Sequence, residues 1–164
     1  MDPGGKVVAF AVSLLMLTGL LAYLSTRGPN DSILIPYLPT GQYLPTIRIG
    51  NTPVKVTVAD TEEKRVAGLS GFDSLPPKQG MWFVFDKEGD YGIWMKDMRF
   101  AIDIIWVSES GRIVGIAEHA TPESYPKVFT SSAPARYILE VSAGFIEQYN
   151  ISAQDDVNFN GVGD

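Results

Sequence analysis

Apolar and polar positions alternate along most of this chain in a strand rhythm. The runs Met81–Phe85, Tyr91–Met95 and Ile102–Val107 are short, apolar and separated by turn segments. Runs of this length, bounded by Gly, Pro, Asn and Asp, predict β-strands. The same reading places strands at Thr46–Ile49, Val54–Val58, Arg112–Ala117, Ala135–Ser142 and Val157–Phe159. Gly50-Asn51-Thr52-Pro53 makes a hairpin-like turn between the first two, and Ser108-Glu109-Ser110-Gly111 another. Only two stretches look helical. Asp60 with Glu63 three residues on reads as a capping box, so a short helix is expected over about Thr61–Leu69, ended by Gly68 and Gly71. The stretch GFIEQYN suits one or two helical turns. Many short strands joined by close turns predict an all-β fold, a small sandwich or barrel with one short helix.

A different pattern precedes this domain. Lys6 is followed by Val7 to Leu24, 18 residues without a charge. That length is near the lower limit for a bilayer span and long for the core of a signal peptide. No Ala-x-Ala site follows it, and a run apolar on every face has no stripe to lay on a soluble core. One N-terminal transmembrane helix, retained as an anchor, is therefore expected within residues 1–25; secretion after signal cleavage is the alternative. Lys6 before the run and Arg27 after it lean the soluble domain to the outside. Residues 26–45 hold Pro29, Pro36, Pro39, Pro45 and Gly41 and read as a tether. The soluble domain is then residues 46–164.

Alternation also picks out two odd residues. Ile102, Ile104 and Trp106 share one side of their strand, and Asp103, Ile105 and Val107 share the other. Tyr137, Leu139 and Val141 oppose Ile138, Glu140 and Ser142. Asp103 and Glu140 are thus acids inside apolar strands, where a carboxylate is costly unless paired or hydrogen-bonded. With Lys96 they form a candidate polar cluster. The structural alternative is an ion pair, or an Asp bonded to turn backbone.

Composition narrows the chemistry. The net charge is −6 over 164 residues, with no basic run, which argues against nucleic-acid binding. There is no Cys, so disulfides, thiolate metal sites, Cys nucleophiles and a lipid-bearing Cys anchor are excluded. His119 is the single His and cannot make a zinc site unaided. No Gly-x-Ser-x-Gly elbow accompanies Ser108 or Ser131. The final FNGVGD lacks the ligand spacing of a calcium loop. No cofactor is implied.

The blocks GLSGFDSLPPKQGMWFVF, IWMKDMRFAIDIIWV and GRIVGI resemble those of the domain of unknown function 192 family. The resemblance covers roughly Thr46 to Phe159. It implies a compact β-rich domain behind a signal or membrane segment, and no established activity. Gly71-Phe72-Asp73 stands where many members carry a basic residue, which weakens an anion site there. Ala101 stands where Pro is frequent.

Three functional readings remain. The leading one is a membrane-tethered extracytoplasmic binding or envelope-associated module. Its ligand would be an envelope glycan or protein, with Trp82, Trp94 and Trp106 as stacking surfaces. The second is a small hydrolase using Asp103 and Glu140 with Lys96, which needs the two carboxyls roughly 5–9.5 Å apart. The third is a metal module built on the soft thioethers of Met81, Met95 and Met98, with His119 a weaker candidate. Met at strand spacing is more often core.

Overall fold

The computed structural model describes residues 43–163. The expected membrane segment, and the tether as far as residue 42, lie outside the described residues. The strands are β1 (Thr46–Ile49), β2 (Thr52–Ala59), β3 (Gln79–Gly89), β4 (Ile93–Trp94), β5 (Ile102–Val107), β6 (Ile113–Ala120), β7 (Val128–Phe129), β8 (Ala135–Ser142) and β9 (Val157–Asn158). The α-helices are α1 (Glu62–Ala67) and α2 (Phe145–Tyr149).

Seven strands form one sheet in the order β6-β5-β8-β3-β2-β1-β9, and β4 pairs with β7 in a separate ribbon. Neighbours are antiparallel except β2 and β3. A parallel pair needs a crossover rather than a hairpin, and α1 lies in that crossover. The sheet curls until its two edges meet at one corner. There Arg112, just before β6, bridges Asp156, just before β9, and the Val157 amide donates to the Gly111 carbonyl at 2.7 Å. The all-β expectation is met by this half-barrel.

Local chemistry explains where the elements depart from expectation. The N-cap of α1 is Thr61, not Asp60. Thr61 is extended, and its hydroxyl accepts from the Lys64 amide at 3.3 Å. Asp60 instead pairs with the Lys64 ammonium at 2.6 Å. The expected strand Tyr91–Met95 shrinks to the two residues of β4. Its partner β7 is also two residues, too short for any period to betray.

Apolar residues are buried on both faces of the sheet. Ile47, Val56, Trp82, Ile105, Tyr137 and Val141 belong to the inner core, where Trp82 stacks on Tyr137 with ring centroids 5.0 Å apart. On the outer face, Met81, Phe83, Ile104, Trp106 and Ile138 are buried. The chain after α1 (Leu69, Phe72) and the segment around β4 (Ile93, Met95) are buried against that side. The Trp106 indole donates to the Tyr91 carbonyl at 2.9 Å, which fastens the second cover.

Closure of the sheet at one corner makes a direct prediction. Gly111 has φ +85, and a Cβ there would sit 2.6 Å from the Val157 carbonyl oxygen. Gly111→Ala is expected to lose on the order of 2–3 kcal/mol in denaturant unfolding. Gly71→Ala, at φ +90 with nothing within 4 Å, should lose clearly less. Equal losses would show that the corner contact contributes nothing beyond backbone strain.

Candidate functional site

The two acids flagged by the sequence are neighbours in the sheet but not in space around one site. In the β5–β8 register Asp103 lies opposite Val141, and Ile104 opposite Glu140. Directly opposed residues project to the same face, so Asp103 looks to the inner core and Glu140 to the outer side. The expected cluster of Lys96, Asp103 and Glu140 is therefore not formed. The one-residue offset between the two acids puts the sheet between them.

Asp103 is wholly buried and has a structural task. Its Oδ1 accepts from the His119 amide at 2.9 Å, and its Oδ2 from the Ile146 amide at 3.0 Å. His119 has φ +52 and sits where the β5–β6 register shifts between Ile102 and Ile104. Ile146 lies in the first turn of α2, whose N-cap, Gly144, offers no side chain. One carboxylate thus satisfies an irregular amide in β6 and an orphan amide of α2.

Glu140 is different. Only 4 % of it is exposed, yet it lines a cleft of about 70 Å³ on the outer face. Arg65, Val66, Gly68 and Ser70 of the α1 region form one wall, and Trp94, Lys96 and Met98 another. Among the described residues, none donates a hydrogen bond to the Glu140 carboxyl and no cation pairs with it. Burial alone pushes its pKa up to about 8, so the acid is mostly neutral at pH 7. Gly80 permits the close approach of β3 to β8 here, because a Cβ there would meet the Glu140 backbone carbonyl oxygen at 2.5 Å.

The remaining candidates divide the same way. Trp82 and Trp106 are fully buried, whereas Trp94 is half exposed at the mouth of the cleft. The Trp94 ring lies edge-on to Tyr125 at 6.4 Å, and the Lys96 ammonium stands over it at 5.9 Å. No common aromatic face exists for three tryptophans. Met81 and Met95 are buried, and of the three methionines only Met98 lines the cleft. His119 is exposed, and among the described residues no three His, Asp or Glu side chains group to hold a metal. Arg65, Val66 and Ser70 were not singled out by sequence. Alternation reports the faces of a strand and not the element that will cover them.

The signature of the DUF192 family (Uncharacterized ACR) matches residues 45–159. The chain belongs to the DUF192 family. No curated protein matches it. Two crystal structures resemble the DUF192 domain. One, from Sinorhizobium meliloti 1021 and described as a candidate transcription regulator, is 26% identical with a TM-score of 0.67, over 71% of this chain and 94% of its own. The other, of unknown function from Novosphingobium aromaticivorans DSM 12444, is 21% identical with a TM-score of 0.67, over 80% and 99%.

Opposite responses are expected from the two acids of the DUF192 domain. Asp103→Ala strands the buried Ile146 amide and the part-buried His119 amide and should cost about 3 kcal/mol in denaturant unfolding. A change within experimental error would mean that water replaces the carboxylate. Glu140 titrates near 4.5 when unfolded and near 8 when folded. The folded state then holds the extra proton between those values, so this contribution is full below about 4.5 and is lost as pH rises to about 8. The complete loss corresponds to roughly 5 kcal/mol. Melting temperature across that range should fall with pH in the wild type, and the slope should largely vanish in Glu140→Gln. Parallel curves would show that Glu140 ionises normally.

Proposed function

We propose that this protein is a membrane-tethered, extracytoplasmic binding module that seats a carbohydrate over Glu140. The observation that carries the reading is a buried, unpartnered carboxyl at the floor of an open cleft with Trp94 half exposed at its mouth. A neutral carboxylic acid both donates and accepts hydrogen bonds, as a sugar hydroxyl does. An indole beside it offers the apolar surface that a sugar ring face covers. The apolar run Val7 to Leu24 supports the tether, and Lys6 before it supports an outside domain.

The two-carboxylate hydrolase reading loses its second acid, because Asp103 faces the inner core. A reduced form of it keeps one favourable observation. An acid with a pKa raised to about 8 by burial, in a cleft that Lys96 also lines, is suited to proton transfer. The Sinorhizobium structure is described as a candidate transcription regulator, but a chain of net charge −6 without a basic run lacks the extended basic surface that nucleic-acid binding needs.

Calorimetric titration of the full-length protein against a panel of pyranosides tests the proposal. A saccharide should bind, and Trp94→Ala should weaken it about tenfold, equivalent to about 1.4 kcal/mol. A panel without a binder ends the carbohydrate reading. Chromatography of the bound saccharide separates the two chemistries: intact sugar supports a binding module, and shortened sugar supports an acid–base enzyme. A protease added outside intact cells should digest the domain, whereas protection would place it on the inner side.

A further inference from the structure

Among the described residues three cations close ion pairs. Lys64, Arg99 and Arg136 each close an ion pair, with Asp60, Asp73 and Glu109 respectively. The two that line the cleft do not. Among the described residues Lys96 closes no ion pair, and its ammonium stands over the Trp94 ring. The Arg65 guanidinium donates only to backbone carbonyls, of Asp60 at 3.0 Å and Val84 at 2.8 Å, and stands over the Phe85 ring at 5.1 Å. Neither closes an ion pair among the described residues, although Arg65 is near enough to Asp60 and Glu63 to help hold both carboxyls below their usual range.

Among the described residues Glu140 is the one acid lining this cleft, and it does not cancel the two cations. Its carboxyl, buried and without a partner, is mostly protonated at neutral pH. The titratable or charged groups that line the cleft are Arg65 from α1, Lys96 from the turn after β4, and Glu140 from β8. The site is positive within a chain of net charge −6. Its size also limits what enters. A volume of about 70 Å³ is well below the roughly 300–1,000 Å³ of pockets that enclose a whole ligand. It takes a head group, leaving the rest of the molecule at the mouth beside Trp94.

We propose that this cleft selects the oxyanion head of an acidic sugar, a carboxylate or phosphate held between Lys96, Arg65 and the Glu140 acid. The proposal rests on the carbohydrate reading above and names the chemical class of its ligand. The Glu140 proton donates to one anionic oxygen, and the two cations face the others. Ionisation of Glu140 sets two negative charges against each other, so affinity falls as pH rises through about 8.

Calorimetric titration of the full-length protein with glucuronate, glucose 6-phosphate, glucose and inorganic phosphate tests it. At least one acidic sugar should bind about tenfold or more tighter than glucose, the span of one charge-assisted hydrogen bond. The two acids distinguish carboxylate from phosphate. Lys96→Gln, an exposed position, should remove that preference. Glu140→Gln should flatten the pH dependence of binding between about pH 6 and about pH 9. Glucose binding as tightly as both acids, unchanged in Lys96→Gln, would overturn the anion selectivity and leave the carbohydrate reading standing. Phosphate binding without any sugar would overturn the saccharide part and keep the anion pocket. Silence from all four ligands would overturn both.

Discussion

Strands β5 and β8 are covered on both faces, and that constraint governs the rest of the molecule. Every residue of β5 is buried, as are six of the eight in β8. A strand with one wet face can discard a polar residue to the solvent, but these two cannot. Each acid placed in them must be neutralised or bonded where it stands. The fold uses one solution for each. Asp103 stays among hydrogen-bond donors and becomes a fixed acceptor for two backbone amides. Glu140 receives no donor, and burial holds its proton. The same cost of burial thus yields a structural clamp on one face and a titratable group on the other.

Much of this was legible before any coordinates. The runs Thr46–Ile49, Ile102–Val107 and Ala135–Ser142 carry a strand period with clear turn residues at their ends, and all three fold as read. Alternation within each strand also identified Asp103 and Glu140 as anomalous and sorted their neighbours correctly. What it could not supply was register. A shift of one residue in the β5–β8 pairing would set the two acids on the same face. The parallel pairing of β2 and β3 was hidden for a related reason. It depends on where the α1 crossover returns, and no local pattern encodes that. The ribbon β4–β7 is too short to carry a period, and its position matters most to the site because it brings Trp94 and Lys96 to the cleft.

The three tryptophans show why residue type is a weak guide to role. All three sit in apolar strands, and all looked like possible stacking surfaces. Trp82 and Trp106 lie on central strands β3 and β5, so each side chain meets a covered face and its N–H bonds to a backbone carbonyl. Trp94 lies in a two-stranded ribbon outside the main sheet and is half exposed. Strand position, rather than side-chain chemistry, separates packing from availability. The methionines follow the same rule, with Met81 and Met95 buried and Met98, in the turn after β4, at the cleft.

This architecture also separates the packed core from the cleft. The inner core, the corner at Gly111 and the Asp103 clamp hold the half-barrel without involving the outer cleft. The cleft is formed by pieces laid over the sheet: α1 and the chain after it on one side, and the β4 segment on the other. Loops positioned by a rigid scaffold can vary in sequence without disturbing the sheet beneath them. Glu140 is the exception, because it belongs to the sheet and also lines the cleft. Replacing it with an apolar residue would relieve the burial of an unpartnered acid at no visible loss of contacts, since it makes no hydrogen bond with any described residue. The thermodynamic disadvantage of Glu140 thus falls at the cleft between α1 and the β4 segment, and not in the core that holds the sheet together.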